Sequence, residues 1–241
     1  ATAPGLEAAL ALEARALGFG PVAEMPGGVT FPGGWPEVWR ANLAVRGAAR
    51  VLARIGEFRA MHLAQLDKRA RRFDWGAVLR ADVPVRVEAT CRRSRIYHAG
   101  AASQRIARAI AETLGAPEGG EGAIRLLARI EDDLVTLSVD TSGEPLHRRG
   151  HKEAVGKAPL RETMAALFLH QCGFDGSGPV LDPMCGSGTF RHRGGRDRGG
   201  ADAGAGPALC LRGSGEFRRG RVAGDEGRRR AAGCRHGVSG L

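Results

Sequence analysis

The residues best suited to chemistry lie together in one string, Leu181-Asp182-Pro183-Met184-Cys185-Gly186-Ser187-Gly188-Thr189. Val180 and Leu181 read as a buried strand that runs into an acid, Asp182, and then into a glycine pair, Gly186 and Gly188. Glycines let backbone approach a ligand closely, and a carboxylate at a strand end can receive an amine or a hydroxyl. That is the chemistry of a nucleotide-type loop. Arg191 stands where the fingerprint G-x-G-x-x-G needs its third glycine, and no Gly-Lys-Ser/Thr follows, so the string is neither a dinucleotide fingerprint nor a P-loop. No cysteine, histidine or carboxylate spacing suits a metal ion, and no side chain is assigned as a catalytic acid, base or nucleophile.

A second kind of chemistry is carried by clustered cations. Lys68-Arg69-Ala70-Arg71-Arg72 precedes Trp75. Arg92, Arg93 and Arg95 sit beside Tyr97 and His98 at an expected strand-to-helix junction, and His147, Arg148, Arg149, His151 and Lys152 form a third group. Guanidinium groups near a helix start can grip phosphates, and an exposed aromatic ring can stack a base. Each cluster is also what a solvated charged face looks like. The net charge of +10 does not decide between these readings, because it is unevenly spread. Residues 191–241 hold twelve arginines against five carboxylates, whereas residues 1–190 hold 24 basic and 21 acidic side chains.

The elements that must position these groups follow from apolar spacing. Leu6, Ala9, Leu10 and Leu17 share a helical side that Gly18 can close. Residues 21–25 and 29–31 are short extended segments around Gly27-Gly28. Pro36 suits the first turn of a helix through Leu43, and Val51, Ala53 and Ile55 alternate as a strand. Helix, strand, strand, helix, strand is a split βαβ, or ferredoxin-like, order lacking most of its first strand. A second block opens with a helix over 74–79 and a strand through Val83, Val85 and Val87. It continues with a helix over 99–114, a loop over 115–122 and a two-stranded hairpin over 124–139. A helix over 159–170 then leads to the strand before Asp182.

The 241 residues contain no apolar run near the ~18 residues of a membrane span, and Glu7 and Glu13 interrupt the start in a way unlike a secretory signal. Five cysteines without a C-x-x-C pair fit free thiols in a reducing cytoplasm.

The nine-residue string resembles motif I of class I S-adenosylmethionine-dependent methyltransferases, in the D-P-x-C-G-S-G-T form of the amino-group RNA and DNA methylases. Leu146-His147-Arg148-Arg149-Gly150 and Ala158-Pro159-Leu160-Arg161-Glu162-Thr163-Met164-Ala165-Ala166 are similar to the approach to that motif in THUMP-containing large-subunit rRNA guanine-N2 methyltransferases. The likeness spans residues 1–190. It implies an α/β (α+β) chain with a ferredoxin-like unit over 1–60 and a THUMP-like RNA-binding domain over 61–150. The start of a Rossmann-like methyltransferase domain would then cover 151–190. It implies that Asp182, Pro183, Cys185, Gly186, Ser187, Gly188 and Thr189 hold S-adenosylmethionine, with Glu162 on the wall of the site. It also implies that Arg92, Arg93, Arg95, Tyr97, His98, Arg148 and Arg149 meet large-subunit rRNA. The family orients the weakly nucleophilic guanine amine with an Asn/Asp-Pro-Pro-Tyr loop. That tetrapeptide does not occur here, nor does a clear acid for the ribose hydroxyls.

After Phe190 no helical or strand period continues, and 51 residues hold fourteen glycines and twelve arginines. Two readings stay open for this segment. One is a disordered Arg/Gly tail on a non-catalytic RNA-binding protein. The other is a frameshift, because codon choice permits the stretch Arg191–Pro207 to encode VIEAAEIAAGLMPAR when read one nucleotide later, the amphipathic helix expected after motif I. The second reading is the one expected, and with it a chain that does not complete its own catalytic site.

Overall fold

The computed structural model describes residues 1–148, 160–185 and 188–190, arranged in two compact units. The first unit draws on residues 1–49 and on the described residues from Leu146 onward, and the second is Arg50–Pro145.

In the first unit, α1 (Glu7–Ala16) buries Ala9, Leu10, Ala11 and Ala14, and Gly18 leaves it at φ +75°. β1 (Ala23–Met25) and β2 (Gly28–Thr30) pair antiparallel with Met25 opposite Gly28. Between them Pro26 presets one turn angle and Gly27, at φ +82°, takes the left-handed one. α2 (Trp35–Ala44) has Pro36 in its first turn, and Glu37 reaches back to accept the Gly34 N–H at 2.7 Å. α5 (Glu162–Gln171) buries Ala165, Ala166, Leu167 and Leu169 and packs on α1. The loop after α2 passes so close that a Cβ on Gly47 would stand 2.6 Å from Leu167 Cγ and 2.8 Å from a Glu13 carboxylate oxygen. Glu13 itself is buried and accepts the Arg46 and Gly47 N–H groups at 2.6 and 2.9 Å, tying α1 to that loop.

The second unit is a four-stranded mixed sheet in the order β3-β6-β5-β4, made of β3 (Leu52–Arg59), β4 (Val85–Arg92), β5 (Ile124–Glu131) and β6 (Leu134–Asp140). β4 and β5 are parallel and joined through α4 (Ala99–Leu114), as a βαβ crossover requires, and the other two pairings are antiparallel. Asp132 and Asp133 both lie at positive φ (50° and 61°), the signature of a two-residue hairpin turn between β5 and β6. β5 alternates buried and half-buried along its whole length, and its inner face joins Leu66, Ile106, Ile110, Leu137 and Trp75 in the core. Trp75 satisfies its indole N–H on the Ala70 carbonyl at 2.8 Å. Asp140, almost fully buried, is held by Arg50 and, at 3.6 Å, by Arg125.

Three expectations change. The strand over 51–55, read as the end of the ferredoxin-like order, pairs with β6 in the second unit, because alternation reveals a strand but not its partner. The helix expected over 74–79 is a single 3-10 turn, Trp75–Ala77, and the true helix lies earlier, at α3 (Leu63–Arg71). Only Leu66 and Ala70 of α3 are buried, and its cations mask the apolar stripe. Val180 and Leu181 form no strand among the described residues, and Leu181 is 91% exposed, since a strand without a neighbour cannot satisfy its ladder. Residues 149–159, 186–187 and 191–241, with Arg149, Gly186, Ser187 and both readings of the Arg/Gly segment, lie outside the described residues.

Candidate functional site

The glycine string and α5 come together in the first unit. Thr189 is buried, and its hydroxyl donates to the Leu160 carbonyl at 3.4 Å, two residues before Glu162 opens α5. Phe190 lies 6.3 Å from Phe168 of α5, centroid to centroid. The Asp182 carboxylate accepts the Met184 N–H at 3.0 Å, which bends the chain directly after it. Gly188, at φ +71°, donates to the Cys185 carbonyl at 2.6 Å and closes a second turn. Pro183 and Cys185 are exposed, and Asp182 and Glu162 are half-buried. The described part of the string thus sets a half-buried carboxylate beside two tight turns, and a carboxylate so placed can accept from an amine or a hydroxyl.

In the second unit the expected RNA residues gather where β4 gives way to α4. Arg93 stands at φ +47°, a strained angle for a side-chain-bearing residue, and its guanidinium lies 2.9 Å from Glu131 and 3.2 Å from Asp132. Arg92 approaches Glu131 at 3.9 Å. Asp133 accepts the Arg95 N–H at 2.9 Å and the Ser94 hydroxyl at 2.8 Å, and the Arg95 guanidinium stands 3.9 Å away. The Arg129 guanidinium, with Arg93 and Arg92 beyond it, holds the Glu131 carboxyl below its ordinary range. The Arg95 backbone N–H and the Ser94 hydroxyl do the same for Asp133. Tyr97 is 74% exposed, with its ring 4.3 Å from that of His98, the residue before α4. The sequence therefore placed this cluster, but not the three carboxylates of the hairpin turn that face it. Arg148 is exposed in a 3-10 turn of the first unit, Leu146–Arg148. Among the described residues there is no group of three potential metal ligands, and no helix is long and apolar enough to cross a membrane.

Comparison with known proteins finds matching family models at two stretches of the chain. Residues 1–52 match the RlmL ferredoxin-like domain, and residues 149–191 match the RMKL-like methyltransferase domain. The ribosomal RNA large subunit methyltransferase K/L of Syntrophotalea carbinolica is 38% identical, over 79% of this chain and 28% of the relative. That of Methylococcus capsulatus is 34% identical, over 79% of this chain and 27% of the relative. The chain is similar to these K/L methyltransferases over about four fifths of its own length, and it spans little more than a quarter of theirs. Among solved structures, one described as a predicted N6-adenine-specific DNA methylase from Listeria monocytogenes shares the fold at a TM-score of 0.87 and 28% identity. It covers 95% of this chain and 62% of that one.

Proposed function

We propose that this chain is the RNA-recognition and cofactor-loop portion of an S-adenosylmethionine-dependent enzyme that methylates the N2 amine of a guanine in large-subunit rRNA, in the cytoplasm. In this reading residues 1–49 are the ferredoxin-like unit, the sheet of Arg50–Pro145 is a THUMP-like RNA-binding domain, and the methyltransferase domain begins within 151–190. The observation that carries the reading is the contact of Thr189 with Leu160, which sets the glycine turn against the start of α5, where Glu162 stands. S-adenosylmethionine, when bound there, supplies an electrophilic methyl on sulfur. Asp182 would accept its amine or hydroxyl donors, Gly186, Ser187 and Gly188 would bring backbone against it, and Pro183, Cys185, Thr189 and Glu162 would shape the wall. RNA would be held by cations of the second unit and by Arg148 and Arg149, with Tyr97 and His98 offering a stacking face. Orienting a delocalised guanine amine needs polar acceptors beside the methyl donor. With no Asn/Asp-Pro-Pro-Tyr string in the 241 residues, these groups by themselves bind but do not complete transfer.

The test is nucleoside mass spectrometry of large-subunit rRNA from cells with and without the gene in its native form. Loss of N2-methylguanosine on deletion, restored by the gene, is the expected result. Unchanged rRNA nucleosides, or loss of N6-methyladenine from DNA instead, would overturn the reading. The absent tetrapeptide favours one second reading, an RNA-binding protein without catalysis. Under it, rRNA binding would persist while no modified nucleoside depended on the gene.

A further inference from the structure

At the β4–α4 junction the positive charge of the second unit is met by counter-charge. Arg92, Arg93 and Arg95 each face a hairpin carboxylate within 4 Å. On α3 the arrangement is different. Arg71 is bound to Asp67 at 2.8 Å and to Glu112, whereas Lys68, Arg69 and Arg72 are exposed and enter no ion pair among the described residues. Positions 68 and 72 are one helical turn apart and 69 lies three residues before 72, so the three share one side of the helix. They line a groove between α3 and the edge strand β3 together with His62, Gln65 and a single acid, Glu57. The α3 carbonyl terminus takes up only about half a charge from its last-turn cations. About one and a half positive charges therefore remain after Glu57 is counted.

We propose that the RNA phosphate track runs along α3, over Lys68, Arg69 and Arg72 and the groove they share with β3, and not across Arg92, Arg93 and Arg95. The inference rests on the RNA-binding reading above and goes beyond it by choosing the surface. Phosphate approaching the junction must compete with Glu131, Asp132 and Asp133 for each guanidinium, and the carboxylates repel it. Phosphate approaching α3 meets cations with no partner to displace. Lys68 and Arg72 are separated by about 6 Å along the helix axis, within reach of neighbouring phosphates of one strand. Tyr97 and His98 keep their stacking role, since rings need no counter-charge.

The experiment uses the full chain and a fluorescein-labelled rRNA stem–loop of about 30 nucleotides, with binding followed by anisotropy from about 50 to 200 mM KCl. The twelve arginines after Phe190 add the same background to every variant. The triple substitution K68A/R69A/R72A should reduce the slope of log affinity against log salt by about 2–2.7, and R92A/R93A/R95A by less than about 1. The charge-neutral K68Q/R69Q/R72Q should repeat the first loss, and the charge-keeping R69K/R72K should retain the wild-type slope. The larger loss in R92A/R93A/R95A, or equal losses in both triples, would overturn the track while leaving RNA binding intact. A wild-type chain without salt-dependent binding would overturn the RNA reading itself, and the track with it.

Discussion

Replacing Glu13 with alanine removes a carboxylate that is 3% exposed and that serves two backbone donors, Arg46 N–H at 2.6 Å and Gly47 N–H at 2.9 Å. A hydrogen bond to a charged group contributes about 1.5–3 kcal/mol net, and a buried donor left without a partner costs about 1–3 kcal/mol. The Gly47 bond is buried, whereas the Arg46 bond is only partly so, and water can serve that donor after the substitution. The loss is therefore close to that of one full bond plus part of another, about 2–4 kcal/mol. Glu13→Gln keeps one acceptor but turns an amide N–H₂ toward the second donor, for a loss of about 1–2 kcal/mol. Local opening free energies are read by native-state amide exchange. Since about 1.4 kcal/mol is a factor of ten, E13A should speed exchange of α1 and α5 amides by about 30- to 1,000-fold, and E13Q by about 5- to 30-fold. Less than about a threefold change in E13A would refute the view that this carboxylate ties the loop after α2 to the helices.

Glu112 is held down to about 2 by Arg71 and Arg108. A carboxyl depressed in the folded state adds stability above its unfolded value, about 4.3, and loses it as pH falls toward about 2. Thermal melts of Glu112→Gln should therefore show a shallower decline between those pH values than the wild type, and parallel curves would contradict this. Trp75→Phe removes the donor to Ala70 and part of a core ring, and should lower stability in urea by about 1–3 kcal/mol. Gly56→Ala would place a methyl 2.5 Å from the Phe73 ring, and the same titration should show a loss of about 1–3 kcal/mol.

The second unit was largely legible in the sequence, because its elements carry their own periodicity. Ile124, Leu126, Ala128 and Ile130 alternate, and Ala102, Ile106 and Ile110 recur every four residues, and the structure places each inward. Partnership was not legible. Nothing in Val51, Ala53 and Ile55 says that the strand pairs with β6, since its alternation suits either unit. α3 was hidden because only two of its nine positions, Leu66 and Ala70, are fully buried, and three cations crowd its second half, too little apolar pattern to make a period. At the junction the arginines were visible in the sequence, but their neutralisation by Glu131, Asp132 and Asp133 required the parallel β4–β5 register, with Arg92 opposite Glu131, that brings residues almost forty positions apart together. The Asp182 string was legible as chemistry because the types and order of its residues are specific. The strand expected to present it was not borne out, since Leu181 lies exposed and unpaired among the described residues.

The most direct measurement is transfer of a tritiated methyl group from S-adenosylmethionine to undermethylated large-subunit rRNA. It compares the 241-residue chain with the product of the same gene lacking one nucleotide after codon 190, which restores the expected helix behind motif I. The restored protein should label guanine N2, Asp182→Ala should remove most of that label, and the 241-residue chain should give none. Incorporation by the 241-residue chain, or a restored protein that labels no guanine, would contradict the account.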